Sequence, residues 1–326
     1  MTSIGVPVRP RAPWLLLVVW AALTVGLVFA ARSIPWARVA AELARVHIGW
    51  IVTAVVANFA ILPLWAIEWR LLVPGRERVR TGVMFEIVAV TASVLNSIPF
   101  LAGEASAVAL LVNRARLSRG AALSVLAMDQ LLVAVAKLSI LALAASLAPI
   151  PPWLRGGLWL MVAVLGGALL LLVPLAHHWT RLRERLLAIP TRGRRVVARL
   201  VEWGSHLDVL REPGRAARVV ALALLKKSAE LLAIVAVQLA FGLEPSLALG
   251  ALVLAALALS TLVPVAPATL GVYEATVFAV YRFAGIAEET AIGLAMVQHL
   301  CFLLPSLGTG YLTLSLRPML RSRSST

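Results

Sequence analysis

Apolar runs of the length that crosses a hydrocarbon core, about 20 residues for roughly 30 Å, recur along this chain from Pro13 to Leu316. Lipid offers the backbone no hydrogen-bond partner, so each run must satisfy its own polar groups as a helix. The expected fold is therefore all-α, a polytopic membrane helix bundle. Composition agrees: 61% of the 326 residues are hydrophobic and 14% are charged, and a mean hydropathy of +0.94 does not describe a water-soluble domain. One long polar interval interrupts the pattern, so residues 1–326 read as a single integral membrane domain with no soluble catalytic part.

Reading the runs against their charged ends gives six full spans: Pro13 to Ala31, Ile48 to Leu72, Ala121 to Leu147, Trp153 to Leu175, Val219 to Gly242, and Thr290 to Leu316. The first lies behind Arg9 and Arg11 and is long for a signal-peptide core, so a retained anchor is expected. Two further stretches, Thr81 to Asn113 and Leu247 to Ala284, are interrupted by Pro and Gly. The breaks fall at Pro99 to Gly103 and at Pro264, Pro267 and Gly271. Proline removes a backbone donor and clashes with the preceding turn, so neither stretch reads as one continuous helix.

The basic residues decide whether the broken stretches cross or turn back. If both turn back, 22 arginines lie on the cytoplasmic side and five (Arg32, Arg38, Arg45, Arg155 and Arg282) outside. If both cross once, the same count becomes ten inside and 17 outside. The positive-inside rule favours turning back, with both termini cytoplasmic. Re-entrant loops and full helical hairpins satisfy it equally. The 33 residues of the first stretch and the 38 of the second compare with roughly 40 for two full crossings.

A net charge of +15 is accounted for by these loops and by anionic headgroups, with no basic stripe or fold motif for nucleic acid. The segment 177–218 carries ten arginines and breaks its charge with Leu182, Leu186, Val196, Val197, Leu200 and Val201, a pattern of amphipathic helices at the cytoplasmic surface. Ser33 to Val46 reads as a second interfacial helix, on the outer side. Cys301 is the only cysteine, which excludes an internal disulfide.

The two broken stretches are followed by similar text, Leu126-Ala127-Met128-Asp129-Gln130 and Leu294-Ala295-Met296-Val297-Gln298. A first repeat of about 48–147 and a second of about 219–316 thus each contain a span, a broken pair containing Pro, Gly and then Glu, a loop, and another span. The first pair enters from the cytoplasm and the second from outside, which makes an inverted repeat. Interrupted helices at matching places in inverted repeats point to a transport site near the midplane. A half-helix N-terminus also aims amide donors at anions.

Ionisable residues inside spans face a cavity or a partner. Glu104 and Glu274 each follow a break, where a carboxylate caps a half-helix, pairs with a cation or carries a proton. Asn96 stands beside the first break, for a headgroup or for local hydrogen bonding. Lys226 and Lys227 lie three or four residues from Glu230, for a local ion pair or for a phosphate, with Arg70 as a further phosphate ligand. Asp129 needs Lys137, eight residues on, or a partner on another helix. Glu68 and Glu86, near the span ends, are expected to snorkel, and Gln298 and His299 to bond between helices. The chain has no nucleophile elbow, zinc-protease motif, Walker loop or dinucleotide fingerprint, so no enzyme, cofactor or metal is expected.

The words Asn96-Ser97-Ile98-Pro99, Gly103-Glu104, Asp129, and Pro264 to Gly271 with Val272-Tyr273-Glu274-Ala275 resemble the transmembrane, flippase-like domain of lysylphosphatidylglycerol synthases over nearly the whole chain. The chain departs from that pattern at Leu101-Ala102, at Ala268-Thr269 and at Tyr273. The resemblance implies a transporter in a bacterial-type plasma (inner) membrane that moves a phospholipid or lipid-linked headgroup between leaflets, its partners being lipids with anionic, aminoacylated or glycosylated headgroups. The alternative is a non-transporting membrane subunit or enzyme of a polyprenyl or glycolipid pathway. A homo-oligomer fits either reading as well as a monomer does.

Overall fold

The computed structural model describes residues 32, 34–74, 79–98, 102–147, 149–187, 212–260 and 270–323, with side chains at all of these except 169, 172–187 and 317–323. The expected span Pro13 to Ala31, the break residues Pro99, Pro264 and Pro267, and positions 188–211 of the basic segment lie outside the described residues.

Among the described residues the chain is helical throughout, in ten helices: α1 (Trp36–Leu43), α2 (Ile48–Leu72), α3 (Thr81–Ser97), α4 (Ala102–Asn113), α5 (Arg119–Leu147), α6 (Pro152–Leu187), α7 (Pro213–Ala240), α8 (Leu247–Ser260), α9 (Val272–Phe283) and α10 (Glu288–Arg323). Three of the described segments are long and apolar enough to cross a membrane, namely α2, α5 and Glu288–Leu316 of α10. The molecule is thus a helical integral membrane protein. α2 begins and ends where its apolar run does, with Pro63 inside it. A ring at that position costs a backbone bond, which neighbouring helices make tolerable in a bundle.

Each broken stretch forms two short helices that pack on each other. Glu86, in the second turn of α3, accepts a hydrogen bond from Arg114, one residue past α4, at 3.3 Å. At a rise of 1.5 Å per residue, the 17 and 12 residues of α3 and α4 span about 25 and 18 Å. The 14 and 12 residues of α8 and α9 span about 21 and 18 Å. All four are shorter than a full crossing of about 30 Å, so each pair is a short helical hairpin. Gly103 lets the first hairpin close, because a Cβ there would strike both the side chain and the backbone of Leu95.

Packing follows from these hairpins. α3 packs on α4, α2 and α10, while α8 packs on α9, α7 and α5. α2 and α7 lie along each other, and the ends of that pair are tied. His47 N–H donates to Ala240 O at 2.9 Å, and Arg215 donates to the carbonyls of Leu71 and Val73 at 2.7 and 2.6 Å. Two apolar cores result. One surrounds α3 and α4 with Trp69, Leu72, Met84, Leu111 and Leu132. The other surrounds α8 and α9 with Leu154, Leu254, Val277, Tyr281 and Leu294. Large apolar side chains also cover the outside, among them Val52, Val56, Trp159, Leu170 and Leu300, as lipid contact requires.

Candidate functional site

The polar residues of the spans gather where the two cores meet. Between its two core-forming stretches α7 carries Lys226, Lys227 and Glu230, and α5 carries Lys137 between Ala136 and Ile140. On α2, Asn58, Trp65 and Glu68 recur at spacings of seven and three, so they share one helix face.

Glu68 does not snorkel. It is fully buried, and Lys226 Nζ donates to its Oε1 at 2.8 Å. The reason is tertiary: α7 brings an ammonium to that depth, and a buried charge is held by its partner. Lys226 Nζ also lies 3.8 Å from Asp129 Oδ1, and the same oxygen accepts the indole N–H of Trp65 at 3.0 Å. Asp129 therefore finds partners on α2 and α7 rather than Lys137 on its own helix. Lys137 faces Lys227 and Glu230, which form the expected local pair at 2.5 Å. Both lysines proposed for a phosphate are thus engaged by carboxylates. Arg70 is not brought to them; it donates to Thr81 Oγ1 at 2.8 Å and ties α2 to α3.

A second cluster forms where α9 meets α10. Gly271 adopts φ +81°, a conformation favoured by glycine, and its N–H donates to Glu274 Oε2 at 2.7 Å. The other carboxylate oxygen takes a hydrogen bond from His299 Nδ1 at 2.7 Å. The His299 ring stacks on Tyr273, with centroids 4.1 Å apart and planes 9° from parallel. Gln298 links the Tyr273 and Tyr281 hydroxyls at 2.9 and 3.3 Å. Gln298 and His299 are interhelical hydrogen-bonders, as their positions suggested. Because Glu274 folds back on its own N-terminus, the first turn of α9 is filled by a carboxylate rather than held open for an anion.

The two hairpins place their glutamates alike. Glu104 is the third residue of the 12-residue α4, and Glu274 the third of the 12-residue α9. Each is followed by Ala and then a hydroxyl residue that bonds back into its own turn, Ser106 to Gly103 O and Thr276 to Val272 O, both at 2.7 Å. Glu104 Oε2 is buried and has no partner among the described residues.

A cavity of about 300 Å³ opens beside these clusters, lined by Asn58, Leu62 and Trp65 of α2, Ala92, Leu95 and Asn96 of α3, and Phe302 and Ser306 of α10. Asn96 Nδ2 donates to Ala92 O at 2.9 Å, one helical turn back, and so stands on the cavity wall in a locally satisfied state. Asn58 and Phe302 also line a small inner pocket with Glu230, Tyr273 and Gln298. The two pockets thus share Asn58 and Phe302 on their walls.

Sequence reasoning missed Asn58, Trp65 and the burial of Glu68. The signal was present in their shared face on α2, but a carboxylate four residues from a span end reads equally well as interfacial. Among the described residues, no three His, Cys, Asp or Glu side chains converge as a metal site.

The sequence model of the family described as lysylphosphatidylglycerol synthase TM region matches residues 15–310. No curated protein and no solved structure matches the chain. With nearly all of its length inside that match, and with helices of membrane-crossing length, the chain belongs to the lysylphosphatidylglycerol synthase transmembrane-region family.

Proposed function

We propose that this protein translocates a lipid between leaflets of a bacterial-type inner membrane, passing the headgroup through the polar seam while the acyl chains stay in the bilayer. The observation that carries this reading is the cavity between α2, α3 and α10, whose mainly apolar wall carries Asn58, Asn96 and Ser306 and reaches a network of buried charges through the Trp65 bond to Asp129. Charges at that depth are costly to bury, and a headgroup path gives them a use. The reading assigns no bond-making chemistry to the chain, and lipids rather than nucleic acid are its partners.

An inverted repeat supports it. Exchange α2 with α7, α3 with α8, α4 with α9 and α5 with α10, and the packing scheme is preserved: α3 on α10 corresponds to α8 on α5, and α2 on α10 to α7 on α5. The matched glutamates of α4 and α9 agree with the same exchange. On this reading the domain has six full spans and two re-entrant hairpins with both termini cytoplasmic, and the two halves trade conformations to expose the seam to either side.

The test is a two-leaflet labelling assay on vesicles containing the purified protein and a panel of fluorescent lipids with anionic, aminoacylated or glycosylated headgroups. Wild-type protein is expected to expose at least one of them to an impermeant quencher. Ala92→Phe, which fills the cavity, and the paired Glu104→Gln and Glu274→Gln are expected to stop that exposure with expression intact. Unchanged movement in the filled variant removes the cavity from the path.

A further inference from the structure

We propose that Glu68 and Asp129 share a single proton under Lys226, and that this triad is the proton-binding site of the protein. Glu68, Asp129 and Lys226 come from α2, α5 and α7, so three separate helices build the site. Lys226 Nζ lies 2.8 Å from Glu68 Oε1 and 3.8 Å from Asp129 Oδ1, which gathers both carboxyl groups around one ammonium, and Lys226 and Asp129 are the charged groups that face Glu68 among the described residues.

The charge count makes the case. Two carboxylates and one ammonium leave a net negative charge, and side-chain exposures of 0%, 5% and 11% leave little water to solvate it. Other cations on α2 and α7 are committed elsewhere: Arg70 donates to Thr81, Arg215 donates to the carbonyls that end α2, and Lys227 pairs with Glu230. Asp129 has a donor in Trp65, but Glu68 Oε2 is buried with no donor among the described residues. An ionised oxygen without donor or solvent is strongly disfavoured. Two carboxyl groups this close hold one proton between them rather than both ionising. One added proton makes the triad neutral. The proton moves between carboxyl oxygens and no other bond changes.

The site also has a route to the headgroup cavity. Trp65 lines that cavity and donates its indole N–H to Asp129, so a single ring separates the two. Displacement of Trp65 by a headgroup would remove a donor from Asp129 and admit water. Proton release and lipid entry are then linked. That purpose rests on the translocation reading, while the proton site itself does not.

Infrared difference spectroscopy of the full chain in nanodiscs of phosphatidylglycerol and phosphatidylcholine tests the site without lipid movement. At neutral pH the wild type is expected to show the isotope-sensitive carbonyl stretch of one protonated carboxylic acid. Glu68→Gln and Asp129→Asn should each abolish it, since either change leaves one carboxylate on one ammonium, and Lys226→Arg should keep it. No such band in the wild type, or a band that survives both substitutions, overturns the proposal. So does a band lost in Glu68→Gln alone, because the proton is then not shared. Should Glu68→Gln fail to fold, Asp129→Asn decides by itself. If the band is present and behaves as expected while no fluorescent lipid moves in vesicles of the same composition, the proton site stands and the translocation reading falls.

Discussion

Lys226 ties together three helices through one ammonium. Its Nζ bonds Glu68, approaches Asp129, and sits 5.7 Å from the centroid of the Trp65 ring. Removing it strands two buried acids, so Lys226→Met is expected to lower stability by about 3–5 kcal/mol. Making the whole triad apolar, with Glu68→Leu and Asp129→Leu added to Lys226→Met, removes the stranded charge too and should recover most of that loss. Thermal unfolding of the single and the triple variant in one detergent checks the non-additivity. Equal losses would mean that the ion pair itself, rather than the burial of unpaired charge, dominates. At the second hairpin, Glu274→Ala releases both the Gly271 N–H and the His299 imidazole. The expected cost is about 1–3 kcal/mol, in the same measurement.

At the scale of elements, close-packed glycines set how closely helices approach. Gly310 on α10 lies against Ser93 and the carbonyl of Ala89 on α3, where a Cβ has no room. Ser93 Oγ donates to Ser306 O at 2.6 Å, and the hydroxyls of Ser97 and Tyr311 are 3.0 Å apart. Gly310→Leu should therefore push α3 off α10. Spin labels at 97 and 311 should report a longer separation by double electron–electron resonance in the Gly310→Leu background than in the parent. These elements were largely legible in the sequence. α2 ends where its apolar run does, and Pro and Gly mark both hairpins, because helix length and helix breaking are local properties. The tertiary partner of a charge is not local. Glu68 lies near a span end, where snorkelling and burial look the same along the chain, and only the arrival of α7 decides between them. Nothing along the chain sets Trp65 apart until its indole is seen to reach Asp129. Glu104 and Glu274 were visible as a pair because each follows a break, whereas the different fates of their carboxylates depend on what faces them: His299 for one, no described partner for the other.

For the whole molecule, the contacts at helix ends fix which loops share a side. Arg215 meets the end of α2, Arg70 meets the start of α3, and Arg114 meets Glu86, which groups the α2–α3 and α4–α5 connections with the start of α7. His47 meets Ala240, and Arg38 meets Glu289 at 2.9 Å, which groups α1 with the α7–α8 and α9–α10 connections. Most of the arginines among these connections belong to the first group, the side that the positive-inside rule makes cytoplasmic. Single cysteines at Ser118 and Gly214, in a Cys301→Ala background, should thus react with an impermeant thiol reagent only after cells are opened. Cysteines at Glu244 and Ala287 should react in intact cells. If position 118 labelled from outside, the first hairpin would cross the bilayer, the two halves would run in the same direction, and the proposed inverted repeat would fall with the exchange of conformations built on it.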